Sequence, residues 1–404
     1  MKQSEKELSK YVLESRWDNK KKWKKPIATM WQKIFEDPQL FANYYYEEMY
    51  PKNRVYTVWA KEEMLKSQSI EEEQEEEMLC GMIHLNPYEI KIQEDTLALD
   101  YIVGVAVDKE LRRQGIMSQM LQAVMKQMRK EGKPFTFLMP AKEAYYTPFD
   151  FRFVYDRYLC VLEKEENGRE VVEEEEGYQW IPYNEIEGGV QQLLSFCKKF
   201  WEQFQIASIR TESYFEQRQK ELEAEHGSLL VIKKKNEICG YAAYAMDQDT
   251  MIFYELVTKE EPMKVIKSWK QWKTGVKMKL YLDWFHEKEN FSNIQQVPSI
   301  MFRILDIEKM LSFIRSEKEQ EIVLELEDSL LEENSGIYRL NVNQNSSKVE
   351  KILEPSVGET IDGKLTIAEL TEILFGYPKY KETQEAWKGN GWIPMSKIYL
   401  SEIV

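Results

Sequence analysis

Val105-Ala106-Val107-Asp108-Lys109-Glu110-Leu111-Arg112-Arg113-Gln114-Gly115-Ile116 is the stretch that decides how this chain is read. An apolar strand end passes into a basic, glycine-containing turn, and the turn opens a helix. After Gly115 the apolar residues Ile116, Met117, Met120, Leu121, Val124, Met125 and Met128 recur at the spacing of one face of a 3.6-residue helix. A helix N-terminus, with its unpaired N–H groups and positive dipole end, is thus aimed at the carboxyl end of a strand. Arg112 and Arg113 stand beside it. Such an arrangement binds phosphates, although a basic pair before an amphipathic helix, taken alone, is more often a solvated helix start.

Two nucleotide loops are excluded at once. No G-x-x-x-x-G-K-[ST] occurs, and one glycine cannot make a G-x-G-x-x-G fingerprint. Composition narrows the field further. A chain of 404 residues with 43% hydrophobic residues can bury two or three cores. Its net charge of −15 argues against nucleic-acid binding and favours cationic ligands. Cys80, Cys160, Cys197 and Cys239 lie far apart, as do His84, His226 and His286, so neither a metal site nor a disulfide framework is expected. The N-terminal residues form no apolar leader, and no apolar run approaches the roughly 20 residues of a membrane span. A cytoplasmic protein without membrane contact is expected.

Outward from the turn, helices are predicted over residues 27–50 and strands over Val55–Ala60, Met78–Leu85 and Thr96–Val107. The acidic run 71–77 reads as a charged hairpin tip. Gly104, just before the turn, marks either a bulge suited to a ligand arm at the strand edge or a simple packing contact. Phe135–Met139 reads as a buried strand, and the first unit is expected to end near residue 155. A second unit over 156–292 starts with the charged connection 163–176. A helical stripe follows at Leu193, Leu194, Cys197, Phe200, Trp201 and Phe204, then strands at Leu229–Lys233, Cys239–Met246 and Met251–Val257. It echoes the first unit, but Thr258-Lys259-Glu260-Glu261-Pro262 replaces the basic glycine turn, and its acids would repel a pyrophosphate. The third unit, 293–404, mixes strands at Ile322–Glu327 and Gly336–Val342 with a late helix at Thr366–Phe375. The fold class expected is α+β, a mixed α/β architecture.

Arg112-x-x-Gly115 is close to the [RQ]-x-x-G-x-[GA] pyrophosphate loop of the GNAT N-acetyltransferases, with Met117 where a small residue is usual, and Phe149-Asp150-Phe151 resembles the F-G-F/Y element that closes many GNAT domains, with Asp150 in place of the usual glycine. Beyond that loop, the chain resembles the Eis (enhanced intracellular survival) family of acetyltransferases nearly end to end. The resemblance is carried in order by Trp31-Gln32-Lys33-Ile34-Phe35, Tyr101-Ile102-Val103-Gly104-Val105-Ala106-Val107, the turn itself, and Leu138-Met139-Pro140. Tyr146-x-x-Phe149-x-Phe151 and Phe302-Arg303-Ile304-Leu305-Asp306 complete it. It implies tandem GNAT-like domains, each a mixed central sheet with flanking helices, followed by a sterol-carrier-protein-like domain. It also implies acetyl-CoA as donor, a cationic amine such as an aminoglycoside or polyamine-like molecule as acceptor, no metal, and a homo-oligomer, the hexamer of related proteins.

By position, the resemblance assigns the backbone of Val105, Ala106 and Val107 to the pantetheine arm and Arg112–Ser118 to the pyrophosphate. It makes Tyr146 the general acid toward the departing thiolate, with Tyr145 the neighbour most easily confused with it. A phenol with a pKa near 10 can do this. The carboxylate of Val404 is implied as the base, and the apolar run Trp392–Val404 is able to dock as a strand. Asp37 and Glu402 are the acids near substrate, unless they are surface groups. Two other outcomes stay open: a non-catalytic acyl-CoA or lipid-binding sensor, and transfer to a protein lysine.

Overall fold

The computed structural model describes residues 11–17, 20–62, 77–168, 177–186, 190–282 and 294–402. In the first half these form β1 (Tyr11–Trp17), α1 (Lys20–Phe35), α2 (Gln39–Tyr44), a π-helical turn (Tyr45–Met49), β2 (Arg54–Glu62), β3 (Glu77–Ile92) and β4 (Asp95–Val107). α3 (Ile116–Lys130), β5 (Phe135–Leu138) and β6 (Arg152–Leu162) follow. Next come β7 (Tyr178–Pro182), α4 (Gln191–Trp201), β8 (Ile206–Ser208), α5 (Glu212–Ala224), β9 (Ser228–Lys234), β10 (Glu237–Asp247) and β11 (Thr250–Thr258). α6 (Pro262–Lys267), β12 (Lys277–Leu282) and β13 (Ile294–Ile304) complete this run. The rest comprises α7 (Ile307–Leu311), β14 (Arg315–Ser316), β15 (Gln320–Glu327), β16 (Gly336–Val342), β17 (Ser347–Ile352) and β18 (Gly363–Thr366). After these lie α8 (Ile367–Phe375), α9 (Lys381–Trp387), β19 (Trp392–Ile393) and β20 (Ile398–Tyr399).

One 14-stranded sheet runs β1-β2-β3-β4-β5-β13-β6-β12-β11-β10-β9-β7, with β8 bridging the far end of β3 to β20. The expected junction at residues 155 and 156 falls inside β6. β13, which opens the expected third unit, lies between β5 and β6 in this sheet. A separate four-stranded sheet, β17-β16-β15-β18, belongs to the C-terminal part. The fold is the mixed α/β class expected. Among the described residues no helix is long and apolar enough to cross a membrane.

Both faces of the β2–β4 region are covered, which is why these strands carry few exposed side chains. On one face α3 buries Ile116, Met120, Leu121, Val124, Met125 and Met128 against Val58, Ile83, Ile102 and Leu138. Full burial of such a side chain contributes about 1.5–3 kcal/mol. On the other face Ile27, Met30 and Trp31 of α1, with Tyr45 and Tyr50, cover Val55, Trp59, Met82 and Ala106. β4 therefore alternates, sending Ala106 to the α1 side while Val105 and Val107 pack toward the α3 cluster.

The C-terminal part is fastened to the middle of the large sheet. Phe302 of β13 stacks on Phe135 of β5 at 4.3 Å between ring centroids and meets Phe375 of α8 edge-on at 4.9 Å. α8 begins with a capping box of Thr366 and Glu369 and stops at the left-handed Gly376, φ 62°, features that each stabilise a helix end by about 1 kcal/mol. β1, β8, β12 and the π-helical turn were not expected from periodicity. The acidic residues 71–76 and most of the charged connection, 169–176, lie outside the described residues.

Candidate functional site

The geometry starts at Gly104. Met82 pairs with Ala106 and His84 with Val103, so β4 spends three steps where β3 spends two. This is a bulge at Gly104-Val105. Gly104 has φ +59°, and a Cβ there would lie 2.2 Å from Cζ3 of Trp31. The bulge and the packing contact weighed for this glycine are both present. β4 and β5 pair at a single position, Tyr101 with Phe137, and β5 ends at Leu138 with its other edge taken by β13. Past Tyr101 the two strands part. The resulting wedge exposes the β4 backbone over Val105, Ala106 and Val107, the residues expected to meet an extended ligand arm.

The basic turn lies at the open end of the wedge. Arg113 (φ 65°) and Gly115 (φ 82°) are left-handed, and Gly115 caps α3. A Cβ on Gly115 would meet nothing within 4 Å. Gln119 N–H is the first to reach back along the helix, to Gly115 O at 2.9 Å. The amides of Ile116, Met117 and Ser118 therefore precede the helical ladder, and no side chain caps them. Three such amides, open space beside a glycine, and exposed Arg112 and Arg113 suit a pyrophosphate. The Arg112 Nε donates to Val107 O at 3.3 Å, tying the turn to the strand end. Asp108 ends β4 by accepting from Glu110 N–H and from Lys33 Nζ, each at 3.0 Å. Partial burial raises its pKa, but these contacts outweigh that and hold the carboxyl below its usual range.

Tyr146 and Tyr145 are separated by burial: Tyr145 is 50% exposed and Tyr146 is 8% exposed. Tyr146 joins the cluster of Ile102, Leu138 and α3, with its ring edge-on to Phe151 at 5.8 Å. It also interacts electrostatically with Tyr101, where β4 and β5 part. Burial pushes its hydroxyl up to about 12, so it is a proton donor across the neutral range. Asp150 completes its loop in the left-handed region (φ 61°, ψ 20°), the role expected where glycine is common.

Asp37 accepts the Trp31 indole N–H at 2.7 Å, which fixes it one ring's length from the bulge. Its charge reaches Tyr46 and Glu225. Glu225, at the end of α5, had no motif to announce it. Burial, then Glu221, push its carboxyl up to about 7 against the opposing Arg218, and Asp37 adds to the rise. α5 is brought here by Tyr44, whose hydroxyl donates to Gln217 O at 3.3 Å, and by the Lys220–Glu48 ion pair at 2.9 Å. Asp37 and Glu225 thus lie close enough to interact, with Asp37 bonded to the indole that packs on Gly104.

Glu402 is 4% exposed. Arg210 donates to Glu402 at 2.7 Å and to Glu255 at 2.9 Å, Tyr214 OH donates to Glu402 at 3.3 Å, and the Ser208 hydroxyl also donates to it. Tyr399 OH donates to Glu255 at 2.8 Å. One guanidinium thus holds two carboxylates, and with β20 it pins residues 398–402 into the fold. The Glu402 charge reaches Tyr101, where β4 and β5 part. Val404 lies outside the described residues. The turn after β11 holds Glu260, paired with Lys234 at 2.7 Å, and Glu261 stands at the N-cap position of the six-residue α6 without a side-chain cap bond.

Residues 20–154 match the family profile described as an acetyltransferase (GNAT) domain, and residues 307–388 match that of a sterol carrier protein domain. No curated protein matches the chain. Solved structures of similar fold include a conserved protein of unknown function from Enterococcus faecalis V583, a probable N-acyltransferase, at 14% identity. Its TM-score is 0.71, with 95% of this chain and 94% of that one covered. A GCN5-related N-acetyltransferase from Anabaena variabilis is 15% identical with a TM-score of 0.68, covering 97% and 98%. Eis1 from Mycobacterium abscessus is 12% identical with a TM-score of 0.60, covering 93% and 92%. At such identities the likeness shows the fold. GNAT domains use acetyl-CoA. The chain thus carries an acetyltransferase (GNAT) domain ahead of a sterol carrier protein domain and is an enzyme of the acyltransferase class.

Proposed function

We propose that the chain transfers the acetyl group of acetyl-CoA to a primary amine by direct attack, in a first site made by the wedge and the Arg112–Ser118 turn. The observation that supports this reading is the setting of Tyr146: buried in the cluster that includes Ile102 and Leu138, edge-on to Phe151, with burial pushing its hydroxyl up to about 12. Acetyl-CoA supplies the thioester. The chain's residues do the rest. Backbone N–H groups of the bulged strand orient and polarise the carbonyl, the α3 amides and Arg112–Arg113 hold the pyrophosphate, and Tyr146 gives its proton to the departing sulfur. The base is the Val404 carboxylate, a role supported by the resemblance and by the docking of residues 398–402 toward Tyr101.

The acceptor is a cationic amine: an aminoglycoside, a polyamine-like molecule or a lysine. Asp37 and Glu225 are the acids that meet it. Glu402 serves it indirectly, by anchoring the segment that leads to Val404. Membership of the Eis family, a division into units at 1–155, 156–292 and 293–404 with β6 and β13 interleaved, a hexamer and a cytoplasmic location complete the proposal.

The test is CoA release from acetyl-CoA with a panel of polyamines, aminoglycosides and lysine peptides. Turnover with one class names the acceptor. Thermal stabilisation by CoA with no turnover across the panel would instead favour an acyl-CoA sensor. A C-terminal tag, or loss of Ile403-Val404, should abolish turnover and spare CoA binding. Full activity in the tagged chain would remove the carboxylate base. Sedimentation velocity reads the oligomer directly.

A further inference from the structure

The loop that carries Tyr146 is held by two arginines, and each arginine is neutralised from the sterol-carrier part of the chain. Within the loop, Tyr146 O accepts from Phe149 N–H at 2.9 Å, and Thr147 O accepts from Asp150 N–H at 3.1 Å. Arg152 adds Nη1 to Thr147 O at 3.3 Å and to Phe151 O at 3.0 Å, while its Nε donates to Glu372 at 2.7 Å. Arg303, on β13, donates Nε to Phe149 O at 2.9 Å, Nη1 to Ile304 O, and Nη2 to Asp328 at 2.6 Å. The Arg303 and Asp328 side chains are both fully buried, and Asp150 lies 3.7 Å from the guanidinium.

Burial of a cation so deep requires a fixed counter-charge. Asp328 is fixed in turn by the amides of Leu330 and Leu331 and by Asn334 Nδ2, at 2.8–3.0 Å. Glu372 is fixed on α8 by the Thr383 hydroxyl at 2.6 Å. Two further contacts cross the same seam: Phe153 N–H donates to Tyr380 OH at 3.2 Å, and Lys379 pairs with Glu143. Asp328, Glu372, Lys379 and Tyr380 all fall within residues 307–388, the sterol-carrier match.

We propose that the sterol-carrier unit is a positioning device for the catalytic loop: Arg303 and Arg152 are positioning residues for Tyr146, and Asp328 and Glu372 orient them. Arg303 is suited to this because its planar fork holds two backbone carbonyls and one carboxylate in a fixed geometry, where an ammonium is a compact point charge on a flexible stem. A shift of about 1 Å in a group so held costs on the order of 100-fold in rate. This inference rests on the reading of Tyr146 as the acid.

The test uses the full chain with Arg303→Lys, Glu372→Gln and Tyr380→Phe. In each, kcat should fall about 10- to 100-fold, with the KM for acetyl-CoA within about threefold and amide exchange of residues 149–153 accelerated. Combined with Tyr146→Phe, the same changes should lower kcat no further, since the group they position is gone. If Arg303→Lys fails to fold, the other two variants carry the test. Unchanged exchange and unchanged kcat in both would overturn the positioning role. So would an equal further loss in the Tyr146→Phe background. Accelerated exchange together with an unaffected Tyr146→Phe enzyme would keep the clamp as a structural fact and discard Tyr146 as the acid.

Discussion

Replacing Tyr146 with Phe removes one hydroxyl and leaves the ring in its edge-on contact with Phe151 at 5.8 Å. Folding and CoA affinity should therefore change little. General acids contribute about 10²–10⁴-fold to rate, most when their pKa is close to the working pH. Tyr146 is far from that optimum, because burial lifts its hydroxyl to about 12. Against a thiol near 8.5, complete transfer from such a phenol is uphill by roughly 3.5 pKa steps, or about 5 kcal/mol. The benefit must come from partial donation as the carbon–sulfur bond breaks. That argues for the low end of the range, a loss of kcat of about 100-fold, or about 2.7 kcal/mol on the barrier. The pH profile adds a sharper test. Tyr146 remains protonated below its raised pKa, so the ratio of wild-type to variant kcat should be level from pH 6 to about 10 and fall only on approach to 12. The assay is steady-state CoA release at fixed saturating amine, with CoA binding measured by calorimetry. A loss under threefold, or a ratio that titrates near neutrality, would refute the assignment.

Four further outcomes are expected. Gly115→Ala places a Cβ in open space but at φ 82°, so stability should fall by only about 1–2 kcal/mol, while CoA affinity measured by calorimetry drops several-fold as the α3 amides shift. Gly104→Ala forces its Cβ into Trp31 at 2.2 Å and should cost about 1–3 kcal/mol in urea unfolding, with turnover lost as the bulge moves. Arg210→Met leaves Glu255 and Glu402 uncompensated in a buried site and should cost about 3–5 kcal/mol by the same measurement. Glu225, raised to about 7, is neutral below that pH and charged above it. The KM for a cationic amine should thus fall as pH rises from 6 to 8, beyond the amine's own titration, and Glu225→Gln should remove the excess.

Periodicity revealed α3 because its six buried residues follow one stripe, whereas unbroken apolar runs, buried on both faces, revealed the cores of β9, β10 and β11. It failed where tertiary pairing overrides local pattern. β8 is three residues long and exists because β3 and β20 flank it. β13 looks like the start of the C-terminal unit because it adjoins that unit in sequence, yet its backbone partners are β5 and β6. The phosphate turn was readable because backbone conformation and charge are written locally there. The acidic contribution of Glu225 was not, since it depends on α5 approaching Asp37, 188 positions away in the chain. Nothing in the local sequence around Arg303 marks its contact with Phe149 O, which belongs to the assembled structure.

The two departures from the GNAT pattern, Met117 and Asp150, have a common physical explanation. A pyrophosphate turn uses amides, so the side chain at Met117 matters only if it enters the ligand's space. Here it packs half-buried against the α3 cluster, with Leu111 and Val107, leaving its N–H ahead of the helical ladder. A small residue is then unnecessary. At Asp150 the requirement is for the left-handed conformation, which a short carboxylate tolerates. That carboxylate gains a use that glycine could not offer, facing Arg303 at 3.7 Å. Burial still drives the Asp150 pKa up, with Arg303 opposing and Asp328 reinforcing the rise. Asp150→Gly should accordingly retain the turn and loosen the hold on Phe149 O, whereas Asp150→Val, β-branched and strained at positive φ, should disrupt both. Comparing the two by amide exchange at residues 149–151 separates conformational need from charge. If Asp150→Gly exchanges as slowly as the parent chain, the charge contributes nothing, and the substitution is accounted for by backbone conformation alone.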